Sequence, residues 1–525
     1  GVDGGWFPWE WGVWFPHRDI VRHVESHDPD VLFFSGDQVY EGASPTAPDR
    51  ENPYLDYLYK WYLWHWAFED VTRRLPSVTI PDDHDVYHGN LWGAGGKATP
   101  AHLDGAAAQD SGGYKMPAEF VRMVERTQTS HLPDPPDPAP VDQGIGVYFT
   151  HLLYGGVSFA VLEDRKFKSA PGRLLPEAEI RNGWAQSGTF DPSTEADVPG
   201  AVLLGERQLA FLDGWAADWS NGTWMKVALS QTLFGNLATL PADETSDANV
   251  PTLRISEPGE YPQGDRRVAD MDSNGWPPAG RNAALRALRR GFAIHLAGDQ
   301  HLGSTLQYGI DEWEDAAYAL CVPSIANFFP RRWYPSRPGG NRAPGAPPNT
   351  GRFEDGFGNR MTVHAVSNPV RSGREPAALH DLAAGYGIAR FRRADRRVTL
   401  EAWPRWADPG AGDAPYFGWP VEFDQIDGHG RPLGWLPTLR VDGSTEPVIQ
   451  LLDATTGQVL YTVRSAGTEF RPPVYSSGPF RARVGEAGTE RWVEIDSLVV
   501  DADGSAVPID VRLPPQSPAE QAPSR

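Results

Sequence analysis

Cysteine is almost missing. Cys321 is the only one in the chain, which excludes an intrachain disulfide framework and a cysteine-based zinc site. Long apolar runs are missing too. No stretch approaches the ~20 residues needed to cross a bilayer, so no membrane span is expected. Basic residues are in deficit, with 47 Lys and Arg against 69 Asp and Glu and a net charge of -22. Such a balance repels polyphosphate backbones and argues against a nucleic-acid-binding surface. It suits hard cations as partners. The chain opens on Gly1, not Met, without a basic region or apolar leader, and is expected to be a mature or trimmed product.

Aromatic residues are plentiful, with 20 tryptophans. Residues 6–16 hold a dense cluster, Trp6, Phe7, Trp9, Trp11, Trp14 and Phe15, broken by Pro8 and Pro16. The prolines argue against a helix there. A loop wedged on the core is expected, with a pocket wall as the alternative. The length favours two or three domains, and the last dozen residues, rich in Pro, Gln and Ser, read as a disordered tail.

Apolar spacing predicts helices over 17–28, 55–75, near 117–126, 205–218 and 281–290. In the second of these, Leu58, Trp61, His65, Phe68, Val71 and Leu75 form the expected buried stripe, with His65 a packed core histidine. Strands are expected at 31–34, 77–80, 147–149, 157–162, 225–229 and 292–297, and a hairpin over 386–403. Helices alternating with apolar strands predict an α/β layered domain. Short strands at 448–452, 459–463 and 492–500 predict a small β-rich domain after it. The expected division is 1–405, 406–512 and a tail over 513–525. Long irregular loops at 87–146, 239–280 and 328–360 are expected to cover a site.

Three apolar strands end in acidic or histidine residues. Val31-Leu32-Phe33-Phe34 leads into Ser35-Gly36-Asp37-Gln38-Val39-Tyr40. Ser77-Val78-Thr79-Ile80 leads into Pro81-Asp82-Asp83-His84-Asp85. Phe292-Ala293-Ile294-His295-Leu296-Ala297 leads into Gly298-Asp299-Gln300-His301. Ligands of open α/β sheets bind beyond the carboxyl ends of the strands. Carboxylates gathered there repel one another, and a multivalent cation relieves the repulsion. Oxygen and imidazole donors suit Fe, Mn, Mg, Ca or Zn. Asp164, Arg165, Gln231, His88 and Asn90 are candidates to support the site or touch a phosphate, with capping and turn chemistry the alternative. Arg331 and Arg332 could supply bidentate phosphate contacts or form a solvated loop pair.

Taken in order, these motifs resemble those of the alkaline phosphatase D (PhoD-like) metallophosphatases, part of the calcineurin-like phosphoesterases. Glu163-Asp164-Arg165-Lys166, Leu204-Gly205-Glu206-Arg207-Gln208, the strand over 224–232 and Asp272-Ser273-Asn274-Gly275-Trp276-Pro277 resemble the connecting segments. The likeness covers about 17–403. It implies a layered calcineurin-like core of β-sheets flanked by helices, and a metal-dependent phosphoesterase using a metal-bound hydroxide on small phosphate esters.

Two metals on a shared carboxylate are implied, with Asp37 between them. Tyr40, as a phenolate, and His301 would hold Fe(3+). Asp83 and Asp299 would hold Ca(2+) or another divalent ion such as Mn, Mg or Zn. His84 would face the phosphate and protonate the leaving alkoxide, so Asp37, Asp83 and His84 form the implied catalytic set. Substrate contacts fall to His84, Arg165 and Arg331. The resemblance further implies a secreted or periplasmic location and an earlier motif supplying an Asp or Cys ligand. Asp3 is the only carboxylate near that place. Either that strand lies before Gly1 or the site is one ligand short. A non-catalytic metal- or phosphate-binding relative is the first rival. A glycoside hydrolase, which would need a metal-free carboxylate pair, is the second.

Overall fold

The computed structural model describes residues 7–8, 14–15, 17–42, 51–327, 329–501, 504 and 506–515. Apart from the backbone pairing of Phe7–Pro8 with Trp14–Phe15, the aromatic cluster lies outside the described residues. So do Asp3 and most of the expected tail.

The strands that matter are β1 (Leu32–Phe34), β2 (Ser77–Thr79), β3 (Thr150–Tyr154), β4 (Val157–Val161), β5 (Met225–Thr232), β6 (Ile294–Gly298), β7 (Ser304–Tyr308), β8 (Tyr318–Cys321), β9 (Gly351–Glu354) and β10 (Arg360–Val366). Strands β3 to β10 form one mixed sheet of eight strands, in the order β9-β10-β7-β8-β6-β5-β4-β3. Its centre, β4-β5-β6-β8, is parallel. Every residue of β4 and β5 is buried, as a parallel strand covered on both faces requires.

Side-chain alternation along those strands explains the layers. Ala160, Ala228 and Ala297 face one side, against Leu212 and Trp215 of helix Gly205–Ala217 and Leu285 and Leu288 of helix Pro278–Arg289. Phe159, Val161, Val227 and Leu229 face the other, with Val78 and Ile80 and with Val398, Leu400 and Phe423. Those last three belong to an antiparallel sheet made by the hairpin Gly385–Arg392 and Arg397–Pro404 and the strand Val421–Asp424. β1 and β2 form a separate parallel pair. The molecule is therefore mixed α/β with a large mixed sheet. Among the described residues no helix is long and apolar enough to cross a membrane.

Two sequence expectations fail locally. Helix Pro53–Thr72 buries Tyr57, Trp61, Trp64, Phe68 and Val71, not the stripe through Leu58 and His65. His65 is exposed, with its ring edge-on to Trp61 at 4.7 Å. The helix is aromatic on several faces, so apolar spacing does not fix its phase. Residues 147–149 are not a strand. The backbone N–H groups of Tyr148 and Phe149 instead donate to the buried Glu163 carboxylate, and β3 starts after them.

The C-terminal region is β-rich, with an antiparallel sheet of Val459–Arg464, Val448–Asp453, Phe480–Gly485 and Trp492–Leu498. Its core takes in Trp219 and Phe292, which lie just ahead of β5 and β6. The Arg464 guanidinium donates to the carbonyls of Thr223 and Trp219, both at 2.6 Å. The β-rich region is thus seated on the amino ends of the central strands, opposite the motif-bearing ends.

Candidate metal centre

The loops after β1, β2 and β6 converge, and their backbones touch. Gly36 lies at φ 122, where a Cβ would sit 2.3 Å from the Asp82 Cβ. A Cβ on Gly298 would sit 2.2 Å from the Ser35 hydroxyl oxygen. At Gly36 the positive φ and the Asp82 backbone both require glycine, whereas at Gly298 the close neighbour is the Ser35 side chain. Asp37, Asp299 and His301 all adopt left-handed backbone angles, at φ 59, 66 and 50. Asp and His tolerate that region better than most side chains, and three such residues at one place mark a backbone bent to aim its side chains inward.

Asp85 holds the first two loops together. Its carboxylate accepts from the backbone N–H groups of Asp37 at 2.8 Å, Val39 at 3.0 Å and Asp82 at 2.9 Å, and from the Gln128 amide at 2.9 Å. The Tyr40 hydroxyl donates to Asp37 Oδ2 at 2.6 Å. The Tyr40 and His84 rings stack at 4.1 Å, and His84 Nδ1 lies 2.8 Å from Glu41 Oε2.

Two groups of potential ligand atoms, each within 4.8 Å of one another, result: Asp37, Asp83 and His84, and Asp82, Asp83 and Asp299. Asp83 is common to both. Its Oδ1 is buried with no hydrogen-bond partner among the described residues. Leaving a buried carboxylate oxygen unpaired is costly, and a cation in the same space removes the cost. The donor set therefore fits metal ions. His301 falls outside both groups. Its Nδ1 lies 2.8 Å from the Phe329 carbonyl, which leaves Nε2 as the remaining ring donor atom.

The electrostatics describe a centre short of positive charge. Burial, reinforced by Asp82, Asp85 and Asp299, pushes Asp37 up to about 8. Burial and the nearby Asp37 push Asp83 well up. Burial would depress His84, but Asp83, Asp37 and Glu41 outweigh it and hold the imidazole well above its ordinary value. Burial would also raise Asp299, yet the Arg165 charge pulls it below the usual carboxylate range.

Of the two roles the sequence leaves open for Arg165, its contacts are those of a residue that supports the site. It is 2% exposed, and its guanidinium reaches Asp82 at 2.6 Å, Asp272 at 2.6 Å and Asp299 at 3.0 Å. Every guanidinium nitrogen is engaged by a carboxylate. Arg331 is likewise committed, to Asp270 at 2.7 Å and to Asp247, though its charge still reaches His301. Asp164 and Gln231 bond each other's loops and Thr232, while His88 accepts from the Lys115 N–H and Asn90 donates to the Asn182 carbonyl.

Sequence reading left Glu41, Asp82, Asp85 and Asp272 without a role. Each lay inside or beside a motif already singled out, but nothing local told a ligand from a clamp.

A family model described as PhoD-like phosphatase matches residues 8–326. Among solved structures, one titled "Structure of PhoD" aligns at 12% sequence identity and a TM-score of 0.42, covering 94% of this chain and 70% of that one. No curated protein matches.

Proposed function

The chain belongs to the PhoD-like phosphatase family, and from that premise we propose that it is a metal-dependent phosphoesterase with a calcineurin-like core. The observation that carries the reading is the Asp83 carboxylate, shared by two ligand groups and left with a buried unpaired oxygen. Asp37 and Asp83 would hold one ion, with Tyr40 joining as a phenolate and His84 kept beside them for proton transfer. Asp82, Asp83 and Asp299 would hold the second, with His301 Nε2 turned to the rim. Fe(3+) and Ca(2+), or another divalent ion, fit the phenolate and carboxylate donors respectively. Ions held there supply Lewis acidity to phosphoryl oxygens and acidify water.

The chain's own residues do the rest. Arg165 braces Asp82 and Asp299 from behind, so neither carboxylate swings away. Glu41 orients His84 through Nδ1, leaving Nε2 as the atom able to pass a proton to a departing alkoxide. Lys115 is close enough to Asp83 and Glu41 to feel their charge, and has no ion-pair partner among the described residues. Its Nζ donates only to Gln109 Oε1, at 2.9 Å, among the described residues, and it would take the phosphoryl contact first assigned to Arg165. The region from about 406 to 512 would be a separate β-rich domain that buttresses the sheet from the far end.

Purified protein assayed by elemental analysis, and on nitrophenyl phosphate and bis(nitrophenyl) phosphate before and after chelation, tests this. The expected result is bound metal, turnover of at least one ester and loss of turnover on chelation. Metal uptake with turnover of neither ester favours the non-catalytic relative. Turnover indifferent to chelation overturns the reading.

A further inference from the structure

A groove of about 500 Å³ opens beside the centre, lined on one wall by Arg254 and on the other by Arg371, Arg374 and Asp381. Both walls are tied to the strand-end site. One amide, Asn327 Nδ2, donates at 2.8 Å to the His301 carbonyl and at 2.8 Å to the Leu382 carbonyl, next to Asp381. The Arg254 wall follows the helical turn Asp247–Thr252, whose Asp247 pairs with Arg331.

The charges in the groove are not equally available. Arg254 is held by Glu260. Asp381 accepts from the Ser372 N–H at 2.7 Å and hydroxyl at 2.6 Å, and Glu375 accepts from the Ala377 N–H. Arg374 lies over the Trp406 ring at 4.1 Å, a contact that leaves its N–H edges open. Arg371 has neither an ion pair nor a hydrogen bond among the described residues. The arginines nearer the centre, Arg165, Arg331 and Arg332, are all bound to carboxylates. Arg371 and Arg374 are thus the two groove arginines without a carboxylate partner among the described residues, in a chain of net charge -22. Planar guanidinium is the side chain suited to phosphate.

We propose that this groove is a subsite for a second phosphate group on the substrate, held by Arg371 and Arg374 while a first phosphate sits at the strand-end centre. The inference rests on the phosphoesterase reading and narrows it to substrates that carry two phosphate monoesters joined by a spacer, as in a bisphosphate.

The test compares phosphate release from alkyl monophosphates and from alkanediol bisphosphates of graded chain length, by the metal-loaded full chain. At one chain length the bisphosphate is expected to show kcat/KM roughly tenfold above the matched monophosphate. The preference should come through KM and weaken as salt rises. Arg371→Ala and Arg374→Ala should remove the preference, with monophosphate turnover unchanged and serving as the check on folding. Arg371→Lys should keep part of it. No preference at any length, or equal loss on both esters, overturns the subsite and leaves the phosphoesterase reading standing. No turnover of either ester overturns the subsite, and it overturns the phosphoesterase reading too where bis(nitrophenyl) phosphate is also left intact.

Discussion

The two ends of the central sheet solve opposite problems. At the amino ends, buried cations are fully answered by protein. Lys226 donates to the Trp215 and Asp218 carbonyls beneath the Trp219 ring, and Arg464 reaches the Thr223, Trp219 and Glu446 carbonyls. Burial pulls Lys226 down to about 7, so even its charge is optional. At the carboxyl ends, buried carboxylates are only partly answered. Arg165 pairs with Asp82 and Asp299, while among the described residues Asp37 and Asp83 have no ion pair with a lysine or arginine, and His84 is the cation nearest in effect to both. One end is closed by the polypeptide, and the other waits for charge from outside. A seam between regions can be finished by folding, whereas a reactive centre cannot.

The sharpest way to break the contrast is Asp83→Ala. It should lower kcat/KM for phosphate esters by about 1000-fold or more. The metal-stripped variant should melt no lower than the metal-stripped parent, because a repelling charge has gone. A clear loss of apo stability would place Asp83 with the structural residues.

Arg165→Met removes the cation that pairs directly with Asp82 and Asp299. It leaves three buried carboxylates unpaired and should cost about 3–5 kcal/mol in denaturant unfolding. Unchanged stability would show that Asp82 and Asp299 do not need it.

Arg464→Met, at the closed end, should cost about 1–3 kcal/mol from orphaned carbonyls with kcat/KM intact. A matching loss of activity would show that the two ends are coupled.

The last expectation is a pH trend. Asp37 is raised from the ordinary carboxylate value to about 8, so the folded chain binds more protons than the unfolded chain between those limits. Stability of the metal-stripped protein should therefore fall as pH rises from about 4 to 8, by a few degrees in melting temperature. A divalent ion should restore most of it at the alkaline end. A flat profile would mean that Asp37 ionises without strain.

How much of this was legible beforehand follows the same divide. The three strand ends could be read directly, because a buried apolar run stopping at Asp or His is a local signal. The helices at Gly205–Ala217 and Pro278–Arg289 and the hairpin Gly385–Arg392 with Arg397–Pro404 were likewise visible from period and turn chemistry. The role of Arg165 was not. Its partners Asp82, Asp272 and Asp299 lie far away in the chain, and only the fold decides whether a guanidinium faces a substrate or the back of its own ligands. The phase of helix Pro53–Thr72 was missed because Tyr57 and Trp64 bury themselves in a helix whose other faces are also aromatic. Residues 147–149 are apolar enough to read as a strand, although the Tyr148 and Phe149 N–H groups go to Glu163 and not to a ladder.

The glycine contacts at Gly36 and Gly298 set a gauge. Since the loops already rest against one another, the spacing of the carboxylate oxygens is dictated by polypeptide thickness before any ion arrives. The bite is preset, and an ion must match it. Radius then ranks beside charge in deciding occupancy. A single methyl group added at Gly36, which removes no ligand, would reset the gauge and with it the choice of ion.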